Sequence, residues 1–163
     1  MKTLFIIRHA KSSWDDPSQS DFDRPLNDRG KKDAPKMAER LKEKKFNIDI
    51  FISSPAKRAK KTATHFIEEF GGKEKDIVLM DNLYEASPNA FFNAVSAIND
   101  KYQSAAIFSH NPGITEFVNM LTDHLVPNMP TCGIFGVKVL GNTWAEFKDS
   151  KKELLLFDYP KND

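Results

Sequence analysis

The sequence predicts an α/β protein of three layers, α/β/α, in which a mostly parallel central sheet is flanked by helices and closed by antiparallel strands. Three observations carry that expectation. Residues 3–7 and 104–108 are short, largely apolar runs with the composition of strands buried on both faces. Between and after them, segments of helical periodicity alternate with strand-like runs as far as Leu121. From Pro127 onward the pattern changes to short strands punctuated by proline and glycine, as a closing antiparallel section requires. With 163 residues, the chain is expected to form a single domain over 1–163.

The first strand stops abruptly at Arg8-His9, and the ligand crevice of such a sheet lies beyond the carboxyl ends of its strands. Taken alone, the pair is equally well explained as a strand cap and a satisfied loop histidine. A polar stretch without period follows, rich in Ser, Asp and Pro, and is expected to be a long loop. Ser12 and Ser13 lie near the pair and could help bind an anion, although serines in so polar a loop are commonly just solvated. Trp14 is expected to anchor the loop by packing.

Asn27-Asp28 can cap a helix carrying Ala34, Met37, Ala38 and Leu41, with its regular part starting near Pro35. Lys42, Lys44 and Lys45 read as a solvated helix end. Residues 48–53 form a second strand leading into Ser54-Pro55, an N-cap followed by proline, and a helix over 55–70 that ends at Gly71-Gly72. That places Arg58 on a first helical turn at the strand ends, a second cation at the crevice mouth. His65, mid-helix without a partner at ligand spacing, reads as structural.

A short strand over 77–80 precedes a loop containing Glu85, which by itself reads as solvent-exposed but could fold over the crevice. Phe91, Phe92, Val95 and Ile98 mark the next helix. The strand at 104–108 ends on Ser109-His110-Asn111-Pro112-Gly113, so His110 follows a buried strand as His9 does. Ile114, Phe117, Val118 and Leu121 form the inner face of a further helix, and His124 is expected to be exposed. Strands are predicted over 134–140, 143–147 and 153–157, with Gly141-Asn142 as a hairpin turn.

Composition excludes several functions. Lys and Arg number 24 against 23 Asp and Glu, a formal charge of +1, which offers no general attraction for nucleic acid or membrane. One cysteine, Cys132, precludes an internal disulfide framework and suits a reducing compartment, so a cytoplasmic location is expected. The N-terminus lacks the features of a signal peptide, and no window is long enough to span a bilayer.

Arg8, Arg58, His9 and His110 together describe an anion site rather than a metal site. Guanidinium groups match phosphoryl oxygens and stay charged, and a neutral imidazole is available as a nucleophile near pH 7. Converging cations can stabilise phosphoryl transfer by position and charge, so no cofactor and no metal are expected. Phosphate or sulfate would be the simplest occupant. Chemically, one histidine attacks phosphorus and water breaks down the resulting phosphohistidine.

The stretches Arg8-His9-Ala10, Ser53-Ser54-Pro55 with Arg58 and Thr62, and Ser109-His110-Asn111-Pro112-Gly113 resemble the histidine phosphatase (phosphoglycerate-mutase-like) superfamily. Arg-His-Ala-Lys-Ser-Ser-Trp and Asp-Arg-Pro-Leu-Asn are most similar to its small SixA-type phosphohistidine phosphatases. The resemblance implies His9 as the phosphate acceptor, Arg8, Arg58 and His110 as phosphate-binding groups, and Glu85 as the proton donor to the leaving group. Ala10 departs from the superfamily's commoner glycine but occurs in the SixA-like group. Larger members insert a helical cap between the Arg58 and His110 segments; this chain has too few residues there for one. The implied crevice is open, suited to phosphohistidine presented on a protein. A small-molecule phosphomonoesterase and a non-catalytic phosphoprotein-binding module are the alternatives.

Overall fold

The computed structural model describes residues 1–162 and builds one sheet of six strands in the order β3-β2-β4-β1-β5-β6. Strands β1 (Lys2–Arg8), β2 (Ile50–Ser53), β3 (Val78–Leu79) and β4 (Ser104–Ser109) are parallel. Strand β5 (Ile134–Val139) runs antiparallel to β1, and β6 (Lys152–Asp158) antiparallel to β5. Helices α1 (Asp28–Glu43) and α2 (Lys57–Glu69) cover one face, α3 (Pro88–Ser96) and the short α4 (Gly113–Val118) the other. The expected α/β/α layering is therefore present.

Period-two alternation explains how two strands serve two cores. Leu4 and Ile6 of β1, with Ala105 and Ile107 of β4, face Phe91, Phe117 and Trp144. Phe5, Ile7, Ala106 and Phe108 face Met37, Leu41, Phe66 and Ile67 of α1 and α2. Each fully buried Ile or Phe contributes roughly 1.5–3 kcal/mol of transfer free energy. Because β1 and β4 are adjacent and parallel, with Arg8 opposite Ser109, their carboxyl ends deliver His9 and His110 side by side.

Four local expectations are corrected. Residues 143–147 form no strand: Trp144 is fully buried, its backbone N–H donates to Asp100 and its indole Nε1–H to the Tyr102 carbonyl. Burying so large a ring under the sheet wins over the strand predicted there, and Gly141-Asn142 joins no two-residue hairpin. Helix α1 starts at Asp28, not at Pro35, because Asn27 accepts the Gly30 N–H and caps it. Gly30 is required there, since a Cβ would collide with the Lys11 carbonyl.

Ser54 does not cap α2. Ala56 holds that position without a side-chain bond, the helix begins at Lys57, and the Ser54 hydroxyl accepts the Ala56 N–H while lying 2.7 Å from His110 Nε2. Trp14, expected to be packed, is 75% exposed; an arginine lies over its ring instead of a core beneath it. His124 is exposed as expected, and Lys42 reaches the Glu69 carbonyl at the far end of α2. Among the described residues no helix is long and apolar enough to cross a membrane.

Candidate active site

His9 leaves the end of β1 with its backbone fixed from three sides. Its N–H donates to the Ser109 carbonyl, its carbonyl accepts from Cys132, and the next residue, Ala10, donates to Thr62 Oγ1 at 2.9 Å. Thr62 in turn donates to the Arg58 carbonyl, which ties the first turn of α2 to the segment carrying His9. The His9 ring is 5% exposed, and its Nδ1 lies 2.7 Å from the Ala10 carbonyl. A carbonyl only accepts, so the proton resides on Nδ1 and the Nε2 lone pair is left for chemistry.

His110 packs against His9, ring centroids 5.0 Å apart. Its Nε2 sits 2.7 Å from the Ser54 hydroxyl, whose oxygen already accepts the Ala56 N–H. With the remaining hydroxyl proton directed at Nε2, the ring carries its own proton on Nδ1. That Nδ1–H is buried and has no partner among the described residues. Burial, followed by the Arg58 charge, pushes the His110 pKa down to about 3. Burial and the neighbouring His110 likewise hold His9 well below the ordinary imidazole range. Both rings are neutral at pH 7.

Arg8 and Arg58 complete the floor. The Arg8 Nη1 donates to the Met129 carbonyl at 2.8 Å, and burial with the nearby Arg58 charge lowers its pKa. Arg58 is 5% exposed and donates from Nη1 to the Asp21 carbonyl and from Nη2 to the Asp21 carboxylate. The Nε–H of each arginine is buried without a partner among the described residues. Orphaned buried donors are rare and each costs about 1–3 kcal/mol. Here Arg8 Nε, Arg58 Nε and His110 Nδ1 belong to three residues lining one cleft of about 520 Å³ with His9. Three unmet donors and two cations around a free imidazole nitrogen suit a tetrahedral oxyanion.

Ser12 and Glu85 also border this cleft. The Ser12 hydroxyl accepts from Arg24 Nη1, so it helps hold a cation as well as facing the cleft. Glu85 is exposed, on a residue with φ of 55°, in the loop that joins β3 to α3. That loop lies close against the start of α4, where a Cβ on Gly113 would collide with the Ala86 carbonyl. Ser13 instead turns its hydroxyl to the Asp15 N–H. His65 lies mid-α2, away from the cleft, as a structural histidine should. Among the described residues, no three His, Cys, Asp or Glu side chains are placed to hold a metal ion.

Sequence reasoning missed the brace around Asp21. Its Oδ1 accepts from Arg24 Nε and Nη2, its Oδ2 from Arg58 Nη2 and from the Tyr84 hydroxyl at 2.7 Å. Partial burial opposes ionisation, but the Tyr84 bond and the arginines hold the carboxyl down to about 2. The same bond pushes Tyr84 up to about 12. Arg24 stacks 3.6 Å above the Trp14 ring. The usable signal is the Asp23-Arg24-Pro25-Leu26 stretch, whose arginine bonds Asp21.

The family model for the histidine phosphatase superfamily (branch 1) matches residues 4–106. An uncharacterized chloroplastic protein of Arabidopsis thaliana is 30% identical over 153 residues, covering 89% of this chain and 70% of that protein. An uncharacterized Mycobacterium leprae protein is 30% identical over 167 residues, covering 95% and 100%. Among solved structures, a provisionally assigned phosphohistidine phosphatase SixA from Agrobacterium tumefaciens superposes with a TM-score of 0.81 at 25% identity, covering 98% of each chain. The protein histidine phosphatase SixA complexed with tungstate shares the fold, with a TM-score of 0.82 at 23% identity over 98% of each chain.

Proposed function

The chain belongs to the histidine phosphatase superfamily, branch 1, as a phosphatase, and we propose that it removes phosphate from phosphohistidine in a protein, without metal, through a phosphoenzyme on His9. The observation that carries this reading is the set of unmet donors at Arg8 Nε, Arg58 Nε and His110 Nδ1 around the His9 ring. A tungstate bound to a SixA of the same fold supports an oxyanion as the occupant.

In this reading the phosphoryl group settles among Arg8, Arg58 and His110, with Ser12 and Arg24 at its edge. His9 Nε2 attacks phosphorus in line, the bond from phosphorus to the substrate nitrogen breaks, and the phosphoryl group passes to His9. Glu85, above the cleft, donates a proton to the departing imidazole and then takes one from the water that attacks phospho-His9. The His9 phosphorus–nitrogen bond breaks, phosphate leaves, and the imidazole returns to its starting tautomer, held by the Ala10 carbonyl. The donors are already oriented and largely water-free, so they stabilise charge without reorganising.

A protein-borne substrate is favoured by what borders the cleft. Between α2 and β4 the chain supplies only β3, short turns and the nine-residue α3, with no helical cap over the His9 ring. The test is a comparison of donors in EDTA: a phosphohistidine-bearing protein, an aryl phosphate, and sugar or nucleotide monophosphates. The expected kcat/KM is at least tenfold higher for the phosphohistidine protein. Faster turnover of small phosphomonoesters would replace this substrate class, and phosphate retained without turnover would make the protein a binding module.

A further inference from the structure

A second cleft, about 510 Å³, adjoins the phosphoryl cleft and shares Arg8, Lys11 and Thr131 with it as lining. Arg29 and Lys161 also border it, and among the described residues Asp33 is its one carboxylate. Arg29 neutralises that carboxylate through contacts of 3.0 and 3.1 Å, leaving a surplus of positive charge on a chain whose net charge is only +1. Asp21 and Glu85 line the phosphoryl cleft and not this one. The surface around the His9 ring is therefore lopsided: Asp21 and Glu85 offset the cations of one cleft, whereas among the described residues the cations of its neighbour face Asp33 alone.

We propose that the second cleft receives an acidic segment of the substrate protein, lying on one side of the phosphorylated residue. This rests on the phosphatase reading above. Lys11, Arg29 and Lys161 are exposed on long, flexible stems. Such a spread of charges matches carboxylates strung along an extended chain better than one enclosed small ligand. Arg8 joins the clefts: its Nε–H has no partner among the described residues, while its Nη1 is held by the Met129 carbonyl beside the wall they share. A substrate phosphoryl group held against the His9 ring, before transfer, would bring the adjacent residues of the substrate chain to Lys11 and Lys161. Exposed pairs of this kind each change affinity by a factor of roughly 1.5–5, they steer association, and they weaken as salt rises.

The test uses Lys161→Glu alone and with Arg29→Gln, because Arg29 also neutralises the buried Asp33. Wild type and variants are given phosphohistidine peptides with acidic residues on the N-terminal side, on the C-terminal side, or on neither, together with an aryl phosphate. Wild type should show a KM about 3–10-fold lower for acidic residues on one side only. Lys161→Glu should remove most of that preference, 0.5 M salt should erase it, and aryl phosphate turnover should stay within twofold. Equal KM values for all three peptides in wild type, or a preference that survives Lys161→Glu, would overturn the proposal. A second readout is anisotropy of a fluorescein-labelled, unphosphorylated acidic peptide, expected to bind at least threefold more weakly to Lys161→Glu. If no donor releases phosphate yet this difference appears, the phosphatase reading fails and the acidic cleft stands; an unchanged anisotropy titration overturns the cleft whatever the turnover.

Discussion

The floor of the cleft and its rim are built by different physics. On the floor, His9, His110 and Arg58 are 5–7% exposed, rise from the ends of β1 and β4 and the first turn of α2, and are interlocked by Thr62, Ser54 and backbone bonds. At the rim, Trp14, Lys11 and Glu85 are exposed and sit on loops. Asp21 spans the two, bonded to buried Arg58 on one side and to Tyr84 and Arg24 on the other. A rigid, dry floor suits a step common to every phosphoryl donor, whereas exposed loops can distinguish what carries the phosphoryl group.

The sharpest way to break this contrast is at the floor. Arg58→Ala removes an oriented donor and a charge from the phosphoryl position. It should lower kcat/KM by about 10²–10³-fold for every donor alike, read by phosphate release. A loss confined to one donor class would make Arg58 a selectivity residue and erase the distinction.

Glu85→Gln sharpens it from the rim. A general acid contributes about 10²-fold or more when the leaving group is a poor one, so turnover of an alkyl phosphate should fall by at least that much. Phosphohistidine, whose imidazole departs more readily, should lose far less. Equal losses on both would remove Glu85 from proton donation.

The buried histidines predict a pH dependence of stability. Both have native pKa values depressed below 6.5, His110 to about 3, so the unfolded chain takes up protons that the native chain refuses. Stability is therefore fully present above pH 6.5 and falls as pH drops through it, by about 1.4 kcal/mol per pH unit for each such proton. Urea denaturation at pH 7.5 and 4.5 measures the slope, and saturating phosphate should reduce it by favouring protonated His110. A stability independent of pH over that range would mean that the rings are solvated.

Trp14→Ala should have the smallest effect. The ring under the Arg24 guanidinium is exposed, and a cation–π contact there is worth about 0.5–1 kcal/mol. KM should rise about two- to fivefold with kcat nearly unchanged. A large fall in kcat would move Arg24 and its stacking partner from the rim to the floor.

The same contrast explains what could be read in advance. Arg8, His9 and His110 were legible because each stands where an apolar strand stops, and strand ends in a parallel sheet converge. Arg58 was legible from its place on a first helical turn. The role of Ser54 is not legible locally, because a serine before proline has the signature of a helix cap while its contact with His110 spans 56 positions of sequence. Asp21 was invisible for a similar reason: its partners Arg58 and Tyr84 lie 37 and 63 residues away, and nothing periodic marks the loop. The burial of Trp144 was not legible, because a strand-like run of five residues says nothing about where so large a ring must go.

The central claim is that His9 Nε2 is the atom that accepts phosphorus. Acid-labile, alkali-stable label should appear on the protein after brief incubation with a radiolabelled phosphohistidine donor in EDTA, should map to the peptide containing His9, and should vanish in His9→Ala while the fold persists by circular dichroism. Label that survives in His9→Ala, or phosphate release at the wild-type rate from that variant, would contradict the account.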